Sequence, residues 1–332
     1  MVSYSEVQAS NARISDATVP RVAVFPGGTS GIGSLTARAL ASTGTSVKIY
    51  IVGRRSAEAR TRTFIEEMKT INPKAEIIWA EAEISLLAEV KRICRVIKSK
   101  ESRVDLLFLT AGYAAVGARQ ETSEGIEITQ SLEYYSRMLF IQHLLPLLRQ
   151  SEHARIVSVC AGGTERASSI VLDDLDLKNP KNFTLLTARP HVAALITVTM
   201  DKMAALNPDV TFIHSMPGWV ATGNVNRGYE PGSKWGFFVW IFLGPLIKLF
   251  SMSLEVSGQK NLFQSTSAAF GGRGTPWDGP AALNTKNEPA NGLFLVNHNC
   301  NSTPNAKVIA ILREKAQVKV WNHTQDMLGP YL

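Results

Sequence analysis

Residues 22–33, reading VAVFPGGTSGIG, constrain the fold of this chain more than any other stretch. Val22 to Phe25 is a short apolar run rich in β-branched residues, as in a buried strand. Gly27, Gly28, Gly31 and Gly33 follow at once, and Ser34–Ser42 then has helix composition with an apolar face. Strand, glycine-rich turn and helix open a dinucleotide-binding unit. The glycines let backbone N–H groups approach a pyrophosphate, and the helix N-terminus behind them favours an anion. Gly27, Thr29, Ser30, Gly31, Ile32 and Gly33 are therefore the candidate phosphate-side residues.

The pattern continues. Strand-like runs at 46–52, 76–80, 104–110, 155–159, 210–214 and 292–296 alternate with helical segments at 57–72, 86–99, 124–150, 187–206 and 306–327. Such alternation predicts an α/β fold, a Rossmann-type doubly wound parallel sheet of about seven strands with helices on both faces. No linker rich in Pro, Gly or Ser divides the chain, so residues 21–332 read as a single domain behind a loose polar arm at 1–20. The second strand ends in Gly53-Arg54-Arg55. An acidic residue there would suit the ribose hydroxyl of NAD, whereas Arg54 and Arg55 suit the extra phosphate of NADP(H). Glu83, after the third strand, is placed to accept from an adenine amino group.

Composition excludes several alternatives. The net charge is +7, but the 35 basic residues are scattered and no nucleic-acid motif accompanies them. Three widely spaced cysteines argue against a disulfide framework and for a reducing, cytoplasmic setting. The six histidines show no metal-ligand spacing, and no secretory leader is visible in the polar first twenty residues. One segment stands apart: 235–250, WGFFVWIFLGPLIKLF, within an apolar stretch at about 224–262. It is shorter than the ~20 residues that span a bilayer. A lid over a lipophilic substrate and a peripheral membrane contact are both open readings, beside a plain core helix. Oligomeric state is not legible.

As a set, these features resemble the short-chain dehydrogenases/reductases. Gly27 to Gly33 is similar to that family's cofactor turn, with Pro26 where threonine is usual. Thr110-Ala111-Gly112 resembles the Asn-Ala-Gly after the fourth strand. Pro217, Gly218 and Thr222 resemble the segment that holds the nicotinamide carboxamide, and residues 253–266 resemble a stretch of retinol-dehydrogenase-like members. Beside the NADP(H) reading of Arg54 and Arg55, the apolar 235–250 segment suggests a lipophilic small-molecule substrate, and Tyr134 to Arg137 with Leu144 to Pro146 resembles the members that serve fungal secondary-metabolite biosynthesis.

The family's catalytic tetrad does not carry over. Cys160 or Ala161 stands where its serine belongs, Arg189 or a neighbour where its tyrosine does, Ala193 where its lysine does, and Glu133 where its helix asparagine does. His191 is nearest to the missing tyrosine and titrates near neutrality. Glu133, Tyr134 and Tyr135 form a polar cluster on the helix behind the nicotinamide position. These four are the candidates for a rebuilt acid/base group. Cys160 as a nucleophile has nothing nearby to lower its pKa. Two functions compete: an oxidoreductase with a non-standard acid, and a non-redox cyclase, isomerase or pseudoenzyme on the same scaffold.

Overall fold

The computed structural model describes residues 1–113, 118–220 and 251–332. Seven parallel strands form one sheet in the order β3-β2-β1-β4-β5-β6-β7. They are β1 Val22–Pro26, β2 Lys48–Gly53, β3 Glu76–Glu81, β4 Leu106–Leu109, β5 Arg155–Val159, β6 Thr211–Ser215 and β7 Leu293–Val296. All six pairings are parallel, as the strand–helix alternation requires.

Side chains on each strand alternate between two cores. Val24, Val52, Leu107, Ile156, Phe212 and Leu295 enter one. Phe25, Ile51, Phe108, Val157, Ile213 and Phe294 enter the other. Strands buried on both faces read as unbroken apolar runs, which is why they were visible without a period-two signal. The first core is covered by α4 (Leu87–Lys100), α6 (Ser136–Leu148) and α7 (Leu185–Leu206), together with α9 (Ala306–Lys315) and α10 (Gln317–Leu328). The second is covered by α1 (Tyr4–Asn11), α2 (Gly31–Ala41), α3 (Glu58–Ile71) and α8 (Leu254–Thr266).

Two expectations need correction. The first twenty residues are not a loose arm. A reciprocal Ser3–Glu6 capping box starts α1. Val7 is buried, and Asn11 Nδ2 donates to the Gln259 carbonyl and side chain on α8. The closing helix is two helices: Ala316 (φ −123°, ψ −32°) leaves the helical region and separates α9 from α10.

The segment after α8 hangs on one cation. Arg155, at the start of β5, is fully buried. Its Nη1 donates to the carbonyls of Gln264 and Ser267 and its Nη2 to those of Phe270 and Arg273, at 2.9–3.1 Å. Burial lowers its pKa, but four carbonyls, two from the C-terminal end of α8, compensate the desolvated charge. Replacing it with methionine keeps the volume and strands four acceptors. Arg155→Met should lower unfolding free energy by on the order of 3 kcal/mol in urea titrations; an unchanged midpoint would show that the residues after α8 hold themselves.

Candidate active site

The strand order reverses between β1 and β4, and in doubly wound sheets ligands bind outside the carboxyl ends of the strands at that point. A cleft of about 320 Å³ lies there. Its near wall is the glycine turn. Gly27 has φ +92°, and a Cβ on it would stand 2.5 Å from the Ala111 nitrogen. Only glycine lets the β1 turn lie against the end of β4, where the Thr110 and Ala111 N–H groups both donate to the Pro26 carbonyl. Ser30, Gly31 and Ile32 at the start of α2 line the same wall, and the Ser30 side chain does not cap that helix. A helix N-terminus at this wall is of the kind that suits an anion.

Most of the predicted cofactor residues converge. Gly27, Thr29, Ser30, Gly31, Ile32, Arg54, Glu83, Ala111, Gly112 and Pro217 all line the cleft. Glu83 also accepts from the Ser85 hydroxyl at 2.9 Å. Three others lie off it. Gly33 packs under the turn, where a Cβ would meet the Gly27 carbonyl and Thr110 Oγ1. Arg55 opens a short 3-10 turn, Arg55–Ala57, and is exposed. Gly218 (φ +70°) sits against His298. Thr222 and the apolar segment 235–250 lie outside the described residues. Arg60 on α3 lines the cleft together with Arg54. Its signal, seven residues beyond the strand end at Gly53, was hidden among other basic helix residues.

The far end of the cleft holds Tyr113, Leu132, Glu133, Arg137, Val159, Cys160 and Arg189. Glu133 arrives there on a π-helical turn, Ser131–Tyr135, between the short α5 (Ile128–Gln130) and α6. Such turns widen a helix locally and re-aim its side chains. The Glu133 carboxyl packs on Gly112 (φ +152°), where any Cβ would lie 2.5 Å from Oε1. Cys160 Sγ donates to Oε2 at 3.9 Å. Burial pushes the Glu133 carboxyl upward against the opposing charges of Arg189 and Arg137. Burial also pushes the Cys160 thiol up to about 11, which removes it as a nucleophile at neutral pH.

Arg137 is buried and braces this end. Its Nη1 donates to Ser158 Oγ and the Val159 carbonyl, and its Nη2 to the Ala111 carbonyl at 2.7 Å. A second brace lies under the turn that follows β5. The Ala161 N–H donates to His214 Nε2, and Thr197 Oγ1 joins His214 Nδ1 (2.7 Å) to Glu165 Oε1 (2.6 Å). Burial drives His214 down to about 3, so its ring is neutral and can accept at Nε2. Neither brace was legible in the sequence, since a lone arginine in an apolar helix and a histidine ending a strand carry no local motif.

Three of the four acid/base candidates are elsewhere. His191 is fully buried, with Nδ1 accepting from the Val171 N–H and Nε2 against the Leu175 carbonyl, both at 3.0 Å. Tyr134 pairs with the hydroxyls of Thr199 and Thr324. Tyr135 donates to Asp176 Oδ1 at 2.6 Å and meets His323. Successive residues of the turn fan out around its axis, and Tyr134 and Tyr135 turn away from the cleft into the packing of α7, α10 and Asp176. Only Glu133 faces it.

Comparison with known proteins follows the same line. The family model for short chain dehydrogenases matches residues 21–171. Oxidoreductase AN1596 of Emericella nidulans is 39% identical over 99% of this chain and 98% of that protein. The chain belongs to the short-chain dehydrogenase family. Within it, short-chain dehydrogenase/reductase SAT2 of Stachybotrys chartarum is 29% identical over 91% of this chain and 90% of its own length. An NADPH-bound carbonyl reductase from chicken fatty liver shares the fold, with TM-score 0.55 at 16% identity over 85% of this chain and 98% of that one. Relative to the family pattern described above, this dehydrogenase has Arg189 on the cleft in the tyrosine region and a buried Ala193 one helical turn on. Among the described residues, no group of His, Cys, Asp and Glu could hold a metal ion. No helix among them is long and apolar enough to cross a membrane.

Two measurements check these placements. His191→Ala should lower stability by about 1–3 kcal/mol through its two lost buried hydrogen bonds, with nucleotide affinity unchanged; weaker nucleotide binding would put His191 back in the site. Asp176 is held below the usual carboxylate range by hydrogen bonds from His323 and Tyr135 that outweigh its burial. Its contribution is therefore complete above the unfolded-state pKa of about 3.9 and fades as pH falls through the lower folded value. Asp176→Asn should flatten the acid limb of the stability–pH curve; a curve parallel to wild type would mean the carboxylate carries none of it.

Proposed function

We propose that this dehydrogenase is an NADP(H)-dependent oxidoreductase acting on a lipophilic small molecule of secondary metabolism. One observation carries the cofactor choice: Arg54 and Arg60 line the same cleft as the glycine turn, beyond the end of β2, where an NAD-selective site would present an acid. The residues fit the group. The Gly27 cradle and the first turn of α2 suit the pyrophosphate, the two arginines suit the 2′-phosphate, and Glu83 suits the adenine edge. Ala111, Gly112 and Pro217 border the nicotinamide end. When bound, the nicotinamide supplies or accepts hydride. The chain's own contribution is to hold the substrate's oxygen at the Glu133–Arg189 end and to keep that end rigid through Arg137.

The lipophilic character of the substrate rests on the aromatic stretch at 235–250, and the secondary-metabolic setting on the fungal sources of the relatives. The same stretch is the proposed place of any peripheral membrane contact, and a cytoplasmic setting without a nucleic-acid partner belongs to the same proposal. Titration with NADPH, NADH and NADP+ tests the cofactor reading. NADPH should bind at least about tenfold more tightly than NADH, and Arg54→Ala or Arg60→Ala should erase that preference while leaving NADH affinity unchanged. Equal affinities in the wild type would overturn the NADP(H) assignment. Absence of any nucleotide binding would favour a non-redox role for the scaffold.

A further inference from the structure

The polar end of the cleft is rich in donors and poor in acceptors. Arg189 is an exposed residue at the mouth of the cleft, and its guanidinium makes no hydrogen bond or ion pair among the described residues, although Glu133 and Cys160 lie near enough to act on it. Arg137, by contrast, spends both Nη groups on two carbonyls and a hydroxyl. Glu133 is 7% exposed, forms no ion pair within 4 Å among the described residues, and has only the Cys160 thiol as a described side-chain donor. A carboxylate so placed loses its hydration with little in return, so burial raises its pKa, and in its protonated form it is itself a donor. Tyr113, whose phenol burial keeps protonated, lines the same space.

We infer that Arg189 and Glu133 form an oxyanion subsite, and that the preferred ligands carry a negatively charged oxygen on an apolar body, as a β-dicarbonyl enolate or a carboxylate does. This deepens the proposed function, because it takes the far end of the cleft as the substrate's place. A permanent cation with no partner among the described residues is a poor neighbour for a neutral ketone alone, since its desolvation on ligand entry needs an anion in compensation. An oxygen between the two groups accepts from the guanidinium and from the carboxylic acid at once, and both bonds are charge-assisted.

The pairing carries a pH signature. The groups that face Glu133 are Arg189 on α7, Arg137 on α6, Glu127 before α5, Cys160 after β5 and Tyr113 after β4. Among these, Glu133 is the carboxyl that burial raises. An anion bound beside it holds the proton on. Anion affinity therefore rises as pH falls through the Glu133 titration, and declines once the carboxyl ionises.

The test is calorimetric binding of decanoate, an alkylated cyclic β-diketone in its enolate form, and methyl decanoate as the neutral twin, to the full chain with and without NADP+. The anions should bind at least about tenfold more tightly than the ester. Arg189→Met should remove that preference and leave ester binding in place, with thermal melting confirming the fold. Decanoate is ionised throughout pH ~6 to ~9, so its affinity reads the protein's proton. It should fall with rising pH in wild type and stay level in Glu133→Gln. Binding of the enolate and not decanoate narrows the ligand to enolates; binding of both makes the subsite general for oxyanions; either result supports it. Equal binding of anion and ester, no binding of any probe, or an Arg189→Met variant that keeps the anion preference would overturn it. NADPH titration of the same preparation separates the two readings: anion selectivity without nucleotide binding leaves the subsite and removes the cofactor assignment, and the reverse removes only the subsite.

Discussion

One buried guanidinium holds the floor of the cleft. Arg137 lies on α6, yet its bonds end on the last carbonyl of β5 and on the Ala111 carbonyl just beyond β4, the two strands that meet beside the reversal of strand order. Strand ends there have no further ladder to join, and their carbonyls would otherwise face an apolar helix or open water. A lysine could reach one of these acceptors; the planar fork of arginine reaches three together. Burial at this position lowers the Arg137 pKa. Glu133 is held near Arg189 and Arg137 without an ion pair to either, and its own burial raises its carboxyl against both charges.

The scaffold was legible because its determinants are local or periodic. The apolar runs of β1, β2 and β5 are buried on both faces, and only a parallel sheet wrapped by helices buries so many consecutive residues. Gly27 announced itself by its neighbours, since a strand and a helix so close together leave few other uses for it. The cofactor wall followed from the same turn, with Arg60 its main omission.

The reacting end was less legible because proximity along a chain is a poor guide to facing. His191 is two residues from Arg189, yet it points into the layer under Val171 and Leu175 while Arg189 lines the cleft. Tyr134 and Tyr135 follow Glu133 directly and satisfy their hydroxyls on α7, α10 and Asp176. The signal that distinguishes them is the direction of each side chain on a helix whose turn is irregular, and no residue count reveals that. The N-terminal helix escaped for a different reason. Its eight residues are mostly polar, and packing against α8 supplies what their composition does not.

The irregular turn also bears on how relatives are compared. Ser131–Tyr135 takes in one more residue than an ordinary helical turn would, so Glu133 and Arg137, four positions apart in number, reach the same cleft through different windings of the backbone. Taking one residue out there would restore a regular helix and leave Arg137 at the strand ends, while the residues of the turn, Glu133 among them, would be re-aimed. Between two members of this family, an aligned length that differs by a single residue in this helix is thus a change of architecture at the reacting centre. Equivalence of site residues has to be judged separately on either side of it.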